Sequence, residues 1–435
     1  MQPPSRLKRF IGTFVIGGAV LFMIFAALLP DVFSPVPTTS GPLAHDAYVW
    51  QRARSDALND AIRNATDFRR LLVLAGQIRF DGDDARVTVI DLDPAPLAGR
   101  TLTLVIRIDS LPGAIAEPAI IERVTRGIAR IVDASSASGL TFDELQIDFD
   151  AAESQLHAYR EWLLAIKRQH PTLRLSCTTL MSHVDSSGFA RVVRAVDSFV
   201  LQLHALPPHP TPTGPLPLLD VDRAQRAIRS AARLRVDFSI ALPTYSYRLI
   251  FDASGKLTRV LAEQDQDDLP PPGGMSRVVR SDPSAIAAFV RSLEAHRPEP
   301  LKVIAWYRLP IATDQHNWHH STLDAVGAGV APAGRVEAVI DHPPRGLREI
   351  VVVNSGNDDA PPPERLTVST PGGLIAFDAT SGYTAQRSTE NGLQFVLAAD
   401  SMELLRPGQR RVIGWIRLER DTEVAVEVSI QNPSP

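Results

Sequence analysis

Along most of this chain, short apolar runs alternate with stretches in which apolar residues recur every three or four positions. The runs are "AYVW" (47–50), "RLLVLAGQI" (70–78), "TLTLVIRI" (101–108), "ELQIDFD" (144–150), "LRLSCTTL" (173–180), "SFVLQLHAL" (198–206), "VDFSIALPTY" (236–245) and "LKVIAWYRL" (301–309). Runs of this length, rich in Val, Ile, Leu and Phe, predict buried strands. Between them, "SDALNDAIRNA" (55–65), "AIIERVTRGIARIVDAS" (119–135), "LHAYREWLLAIKRQH" (156–170), "GFARVVRAV" (188–196), "DRAQRAIRSAARL" (222–234) and "DPSAIAAFVRSLEAHR" (282–297, with Asp282 as cap) carry helical spacing. "STLDAVGAGV" (321–330) follows the last strand. Repeated strand–helix units imply a parallel sheet. Eight strands within residues 46–331 predict an α/β fold, a closed (β/α)8 TIM-type barrel. The competing arrangement is an open doubly wound sheet. Its nucleotide-binding form would carry a GxGxxG-type loop after the first strand, and none is present.

Two segments break the alternation. Residues 246–281 hold short alternating runs and Pro270-Pro271-Pro272-Gly273-Gly274, the pattern of a small β insertion after the seventh strand. "PPHPTPTGPLPLLD" (207–220) is stiffened by proline into an extended loop and is a candidate cleft wall. Beyond residue 332 the helical spacing stops. Seven short strand-like runs separated by turn residues predict a β-sandwich over 332–435.

The N-terminus differs from the rest. Arg6, Lys8 and Arg9 precede residues 10–29, which contain no charge. About twenty apolar residues span a bilayer as a helix, whereas a cleaved signal has an apolar stretch of roughly 7–15. The expectation is an uncleaved transmembrane signal-anchor with residues 1–9 in the cytoplasm, residues 30–45 as linker and the bulk outside it. Secretion after cleavage is the alternative. The 435 residues carry a net charge of −4 and no long basic run, so nucleic acid is not an expected partner. The single cysteine, Cys177, allows no internal disulfide and sits in an apolar run as a core residue would.

The candidate chemistry is in the fourth strand. Leu145, Ile147 and Phe149 share one face; Gln146, Asp148 and Asp150 share the other. In a barrel, inward side chains near the carboxyl end of a strand reach the active face. Two carboxylates placed close together raise the proton affinity of one of them, as glycosidic cleavage requires. The alternative is a structural network in which the acids pair with an arginine such as Arg308. His183, His204 and Tyr245 stand at the ends of the fifth to seventh strands. Of Trp306 and Tyr307, parity sends one inward. "TDQHNWHHS" (313–321) follows the last strand; Asp314 and Trp318 are candidates for substrate contact. His316, His319 and His320 match no ordinary zinc spacing. No metal or cofactor is indicated.

The spacing Asp143-x-x-Gln146-x-Asp148-x-Asp150 resembles the DxxDxDxE signature of glycoside hydrolase family 18, the chitinase-like barrels. "ALPTY" (241–245) is similar to that family's seventh strand, which precedes a small inserted domain, and "VIAW" (303–306) to its last strand, whose tryptophan floors the sugar subsite. The departures are Asp150 in place of a glutamate, Gln146 in place of an aspartate, and His204-Ala205 in place of a Tyr-Asp pair. The chain also resembles an uncharacterised bacterial family of anchored or exported proteins through "QIDFDA", "RLP…D…W" and "VNSG…GWIRL". The resemblance implies a glycoside hydrolase-like protein acting on an envelope or extracellular polysaccharide. Asp150 and Asp148 would be its acid pair, and Trp306, Tyr245, His204, Gln146, Asp314 and His183 its substrate contacts. A catalytically inactive glycan-binding or assembly protein on the same barrel is the alternative.

Overall fold

The structure is a computed structural model that describes residues 35–81, 84–109, 115–207, 209–261, 269–343, 347–370, 373–389, 392–398, 403–419 and 425–429. Eight parallel strands close on themselves: β1 (Ala44–Val49), β2 (Arg70–Asp81), β3 (Leu102–Asp109), β4 (Glu144–Asp148), β5 (Arg174–Leu180), β6 (Ser198–Gln202), β7 (Phe238–Pro243) and β8 (Leu301–Tyr307). Each pairs with its neighbour in sequence, and β8 pairs with β1. Alternate residues of each strand fill the barrel and the others face the helices. The helices are α1 (Asp56–Asn64), α2 (Pro118–Ala137), α3 (Leu156–Gln169), α4 (Phe189–Val193), α5 (Val221–Ala232), α6 (Pro283–Ala295) and α7 (His320–Gly327).

Local sequence sets the helix starts. Ser55 accepts from the Leu58 amide at 3.1 Å, Asp220 from Arg223 at 3.0 Å and Asp282 from Ala285 at 3.0 Å. One unit departs from the strand–helix repeat. Between β2 and β3, Asp84–Val89 runs back antiparallel along the second half of β2 instead of forming a helix. The alternating "ARVTV" favours a strand there, and α2 lies over it. A Cβ on Gly76 would come within 2.6 Å of Ile131 of α2, so the close approach needs glycine. The register also shifts between Leu74 and Gly76, which reverses the parity of the strand beyond it.

The insertion is a three-stranded antiparallel sheet with Ser246–Phe251 between Leu257–Leu261 and Met275–Arg280. Leu249 and Phe251 bury against Leu216 and Leu218 of the proline-rich loop and against Val279. That loop therefore backs the insertion rather than lining the cleft, which corrects its sequence-based assignment.

The C-terminal region is a sandwich of two four-stranded sheets around Ile350, Val352, Leu366, Val368, Phe395, Ile413 and Ile416. Arginines hold it to the barrel. Arg406 donates to the carbonyls of Asp314 and Asn317, the latter at 2.8 Å, and Arg280 pairs with Asp359 at 3.1 Å. Among the described residues no helix is long and apolar enough to cross a membrane; the expected span, 10–29, lies outside them.

Candidate active site at the barrel mouth

A pocket of about 300 Å³ opens at the carboxyl ends of the strands. The inward parity of each strand fills it: Tyr48 from β1 and Trp50 just after it, Gln77 from β2, Arg107 and Asp109 from β3, Asp148 from β4 and Asp150 just after it, Thr178 from β5, Gln202 from β6 and His204 just after it, Tyr245 after β7 and Tyr307 from β8. Gln77 reaches it because of the parity reversal at Gly76. Tyr247 enters from the insertion.

Arg107 organises the charge. It donates to Asp109 from Nε at 2.8 Å, to Asp148 from Nη1 at 2.9 Å and to Asp150 from Nη2 at 2.8 Å. The acid pair is thus gripped by an arginine from the neighbouring strand, not by Arg308. Burial disfavours the guanidinium's charge, but Asp148, Asp150 and Asp109 outweigh it and raise its pKa. Asp148 also accepts from Thr178 at 2.7 Å and Gln202 at 3.3 Å. Burial raises the Asp148 pKa, Arg107 opposes the rise and Asp150 adds to it. The Asp150 side chain is 42% exposed against 5% for Asp148, so Asp150 is the carboxylate a ligand meets. β4 ends at Asp148, two residues before the limit the sequence suggests, which leaves Asp150 on the loop.

Aromatic rings form the wall. Tyr307 stacks on His204 at 5.4 Å and meets Trp50, Tyr48 and Tyr245 edge-on at 5.0, 5.5 and 5.6 Å. The Tyr245 hydroxyl lies 3.0 Å from His204 Nδ1 and donates to the Tyr247 hydroxyl at 3.0 Å. Burial lowers the His204 pKa to about 4 despite the nearby Asp150, so the ring is neutral near pH 7. β6 stops at Gln202 and β7 at Pro243; His204 and Tyr245 sit just beyond, in single bridges to Leu219 and Asn317.

Other expected contacts are placed differently. Trp306 is fully buried on the helix side of β8, where its Nε1 donates to His45 at 3.2 Å; Tyr307 takes the inward position expected of Trp306. Val303, Ala305 and Tyr307 share the inward parity, so Trp306 cannot floor the pocket. Gln146 lies one layer below the acids, accepting from Tyr48 at 2.7 Å and donating to Ser176 at 3.3 Å. It closes the floor rather than lining the cavity. His183 is buried, its Nδ1 accepting from the Leu180 amide at 3.2 Å and its Nε2 lying 2.8 Å from the Ala151 carbonyl. It ties the β4 and β5 loops together. Asp314 is buried against Arg308 and accepts from the His316 amide at 3.0 Å. Trp318 is buried too, donating to the Ser281 carbonyl at 3.2 Å. These three stabilise loops around the pocket without entering it.

Cys177 is fully buried and its thiol is pushed up to about 12 by burial, as a core residue. Among the described residues no group of three His, Cys, Asp or Glu side chains is arranged to hold a metal.

Arg107 and Asp109 were not evident from the fourth strand alone. Their signal is in "LTLVIRID", where an arginine and an aspartate two apart share one face of an otherwise apolar strand. Tyr48 and Tyr247 carry no comparable mark.

Residues 98–312 match the family model of a domain of unknown function, DUF3142, and residues 338–419 match a second one, DUF8456. No curated protein matches by sequence. Among solved structures the chain is similar to the spore cortex-lytic enzyme SleL of Bacillus cereus, at 12% identity and TM-score 0.44, over 63% of this chain and 72% of that one. It is also similar to a chitinase from Chromobacterium violaceum, at 16% identity and TM-score 0.44, over 66% of this chain and 98% of that one. A class V chitinase of Nicotiana tobaccum in complex with NAG4 has 12% identity and TM-score 0.39, over 61% of this chain and 94% of that one.

Proposed function

We propose that the barrel mouth binds a sugar residue of an envelope or extracellular polysaccharide and hydrolyses the adjoining glycosidic bond. The observation that carries this reading is the convergence of three carboxylates on Arg107 inside a pocket walled by Tyr48, Trp50, Tyr245, Tyr247 and Tyr307. Aromatic faces suit the C–H surfaces of a sugar ring. Gln77, Gln202, Thr178 and the neutral His204 supply hydrogen-bonding groups for hydroxyls. Asp150, the exposed member of the acid pair, is the proton donor to the leaving oxygen. Asp148, held by Arg107, Thr178 and Gln202, is its partner one layer deeper. The positive charge that develops on the sugar then faces the carboxylates, and a water that adds to the anomeric carbon gives its proton to the Asp150 carboxylate, which restores the acid.

On this reading residues 10–29 anchor the chain in the cytoplasmic membrane, with the barrel and sandwich outside the cytoplasm where such polymers lie. One observation favours a second reading, glycan binding without turnover: Arg107 engages both carboxylates at once. A panel of polysaccharides scored both for new reducing ends and for bound protein separates the two. Cleavage abolished by Asp150→Asn supports hydrolysis. Binding that survives Asp150→Asn, with no cleavage by either protein, supports the second.

A further inference from the structure

A larger cavity than the mouth pocket lies at the other end of the barrel. A groove of about 1010 Å³ runs beside α5 at the amino ends of the barrel strands. Its floor includes Val36, Ile228, Leu234 and Leu293, and its rim carries Arg194, Arg229, Arg233 and Arg235. Arg194 precedes β6 and Arg235 precedes β7, which fixes the end of the barrel they occupy. Arg229 and Arg233 also line the adjoining cleft with Arg223, Arg226 and the one carboxylate there, Asp185.

These arginines are exposed, and among the described residues none makes a side-chain hydrogen bond or ion pair. That sets them apart from Arg69, Arg70, Arg107 and Arg308, each of which grips a carboxylate. Unpaired arginines side by side repel one another and cost stability unless an anion is present. The chain as a whole is net acidic, so this face is a local reversal of charge.

The position of the groove identifies the anion. Pro35 and Val36 form part of its wall, and Thr38–Thr39 pairs with Arg297–Pro298 just before β8. Only residues 30–34 separate this point from the apolar run 10–29. Five residues reach at most about 17 Å when fully extended. If that run spans a bilayer, the groove stands within that distance of the headgroups. Anionic headgroups in the facing leaflet would attract each guanidinium within roughly a Debye length, about 8–10 Å.

We infer that the arginine-rimmed groove beside α5 docks on anionic phospholipid headgroups, so that the barrel sits with its amino end on the membrane and its mouth pointing away. The inference rests on the reading of residues 10–29 as a membrane span and is independent of what the mouth pocket binds.

The test uses the full chain in nanodiscs of phosphatidylcholine alone or of phosphatidylcholine mixed with phosphatidylglycerol. Phenylglyoxal, which modifies free guanidinium groups, is applied and its sites are read by mass spectrometry. Labelling of Arg194, Arg229, Arg233 and Arg235 is expected to fall several-fold in the anionic discs, while exposed Arg365 of the sandwich is unchanged. In the double variant Arg229→Glu/Arg233→Glu, the lipid dependence at Arg194 and Arg235 is expected to vanish. Equal labelling in the two lipids, whether high or low, overturns the inference. A chain that does not co-elute with the discs shows that the span itself fails, and the inference falls with it.

Discussion

Replacing Arg107 by methionine keeps most of the side chain's volume and removes the cation that joins Asp109, Asp148 and Asp150. Breaking a buried ion pair from one side costs about 3–5 kcal/mol. Arg107 retains 22% side-chain exposure, so water offsets part of the loss, and about 3 kcal/mol is expected at pH 7. The loss has a definite pH dependence. Burial already raises the Asp148 pKa, and Arg107 is the main influence opposing it. Without Arg107 the folded-state pKa climbs further above the unfolded value. A carboxyl raised in this way gives stability that is complete below its unfolded pKa and lost as pH rises through the folded pKa. The difference between wild type and Arg107→Met therefore grows with pH, by at most about 1.4 kcal/mol per unit. Urea unfolding at pH 5, 6, 7 and 8 measures it. Adding Asp148→Asn to Arg107→Met removes the buried charge and should restore part of the stability and flatten the profile. A loss that is the same at every pH, or one untouched by Asp148→Asn, would refute the view that Arg107 serves chiefly to neutralise the buried acid.

His204 should make its own mark. Its pKa drops from 6.5 to about 4 on folding, so its contribution is complete above pH 6.5 and is lost as pH falls toward 4, up to about 3 kcal/mol. Relative to His204→Asn, wild type should lose stability across that window in urea titrations; parallel profiles would contradict the assignment. Trp306→Ala should cost about 3–5 kcal/mol in thermal or urea unfolding, because the ring is fully buried among the helices. Tyr307→Ala should instead weaken oligosaccharide binding in a calorimetric titration more than it lowers stability. Arg406→Ala removes both donors to the loop carrying Asn317, which bridges Tyr245. A loss of about 1–3 kcal/mol and weaker sugar binding are expected together, and unchanged binding would show that the sandwich does not support the pocket.

The barrel was legible because eight apolar runs alternate with helical spacing, and the insertion because its proline-rich tip interrupts that rhythm. No helical spacing stands between the second and third apolar runs, and there the structure has the antiparallel strand Asp84–Val89; the strand itself was not legible, since "ARVTV" follows β2 only once α2 packs over Gly76. Parity within β4 put Asp148 and Asp150 on the inner face correctly. The choice between Trp306 and Tyr307 rested on a resemblance and missed the inward register of Val303 and Ala305. His183 and Asp314 stand near the mouth in sequence order, yet backbone groups and Arg308 consume their polar atoms. Local sequence shows that a histidine ends a strand; it does not show which loop its ring will hold. Arg107 was hidden for a related reason, since its three partners come from two strands and the loop after one of them.

The measurement that tests the central claim most directly is hydrolysis itself, in water enriched in oxygen-18. Wild type and Asp150→Asn are incubated with the polysaccharide panel, and the products are read by mass spectrometry. New reducing ends carrying the label, formed by wild type and absent with Asp150→Asn, are the expected result. Labelled ends formed equally by both proteins, or none from any substrate the pocket binds, would contradict a catalytic acid pair at the barrel mouth.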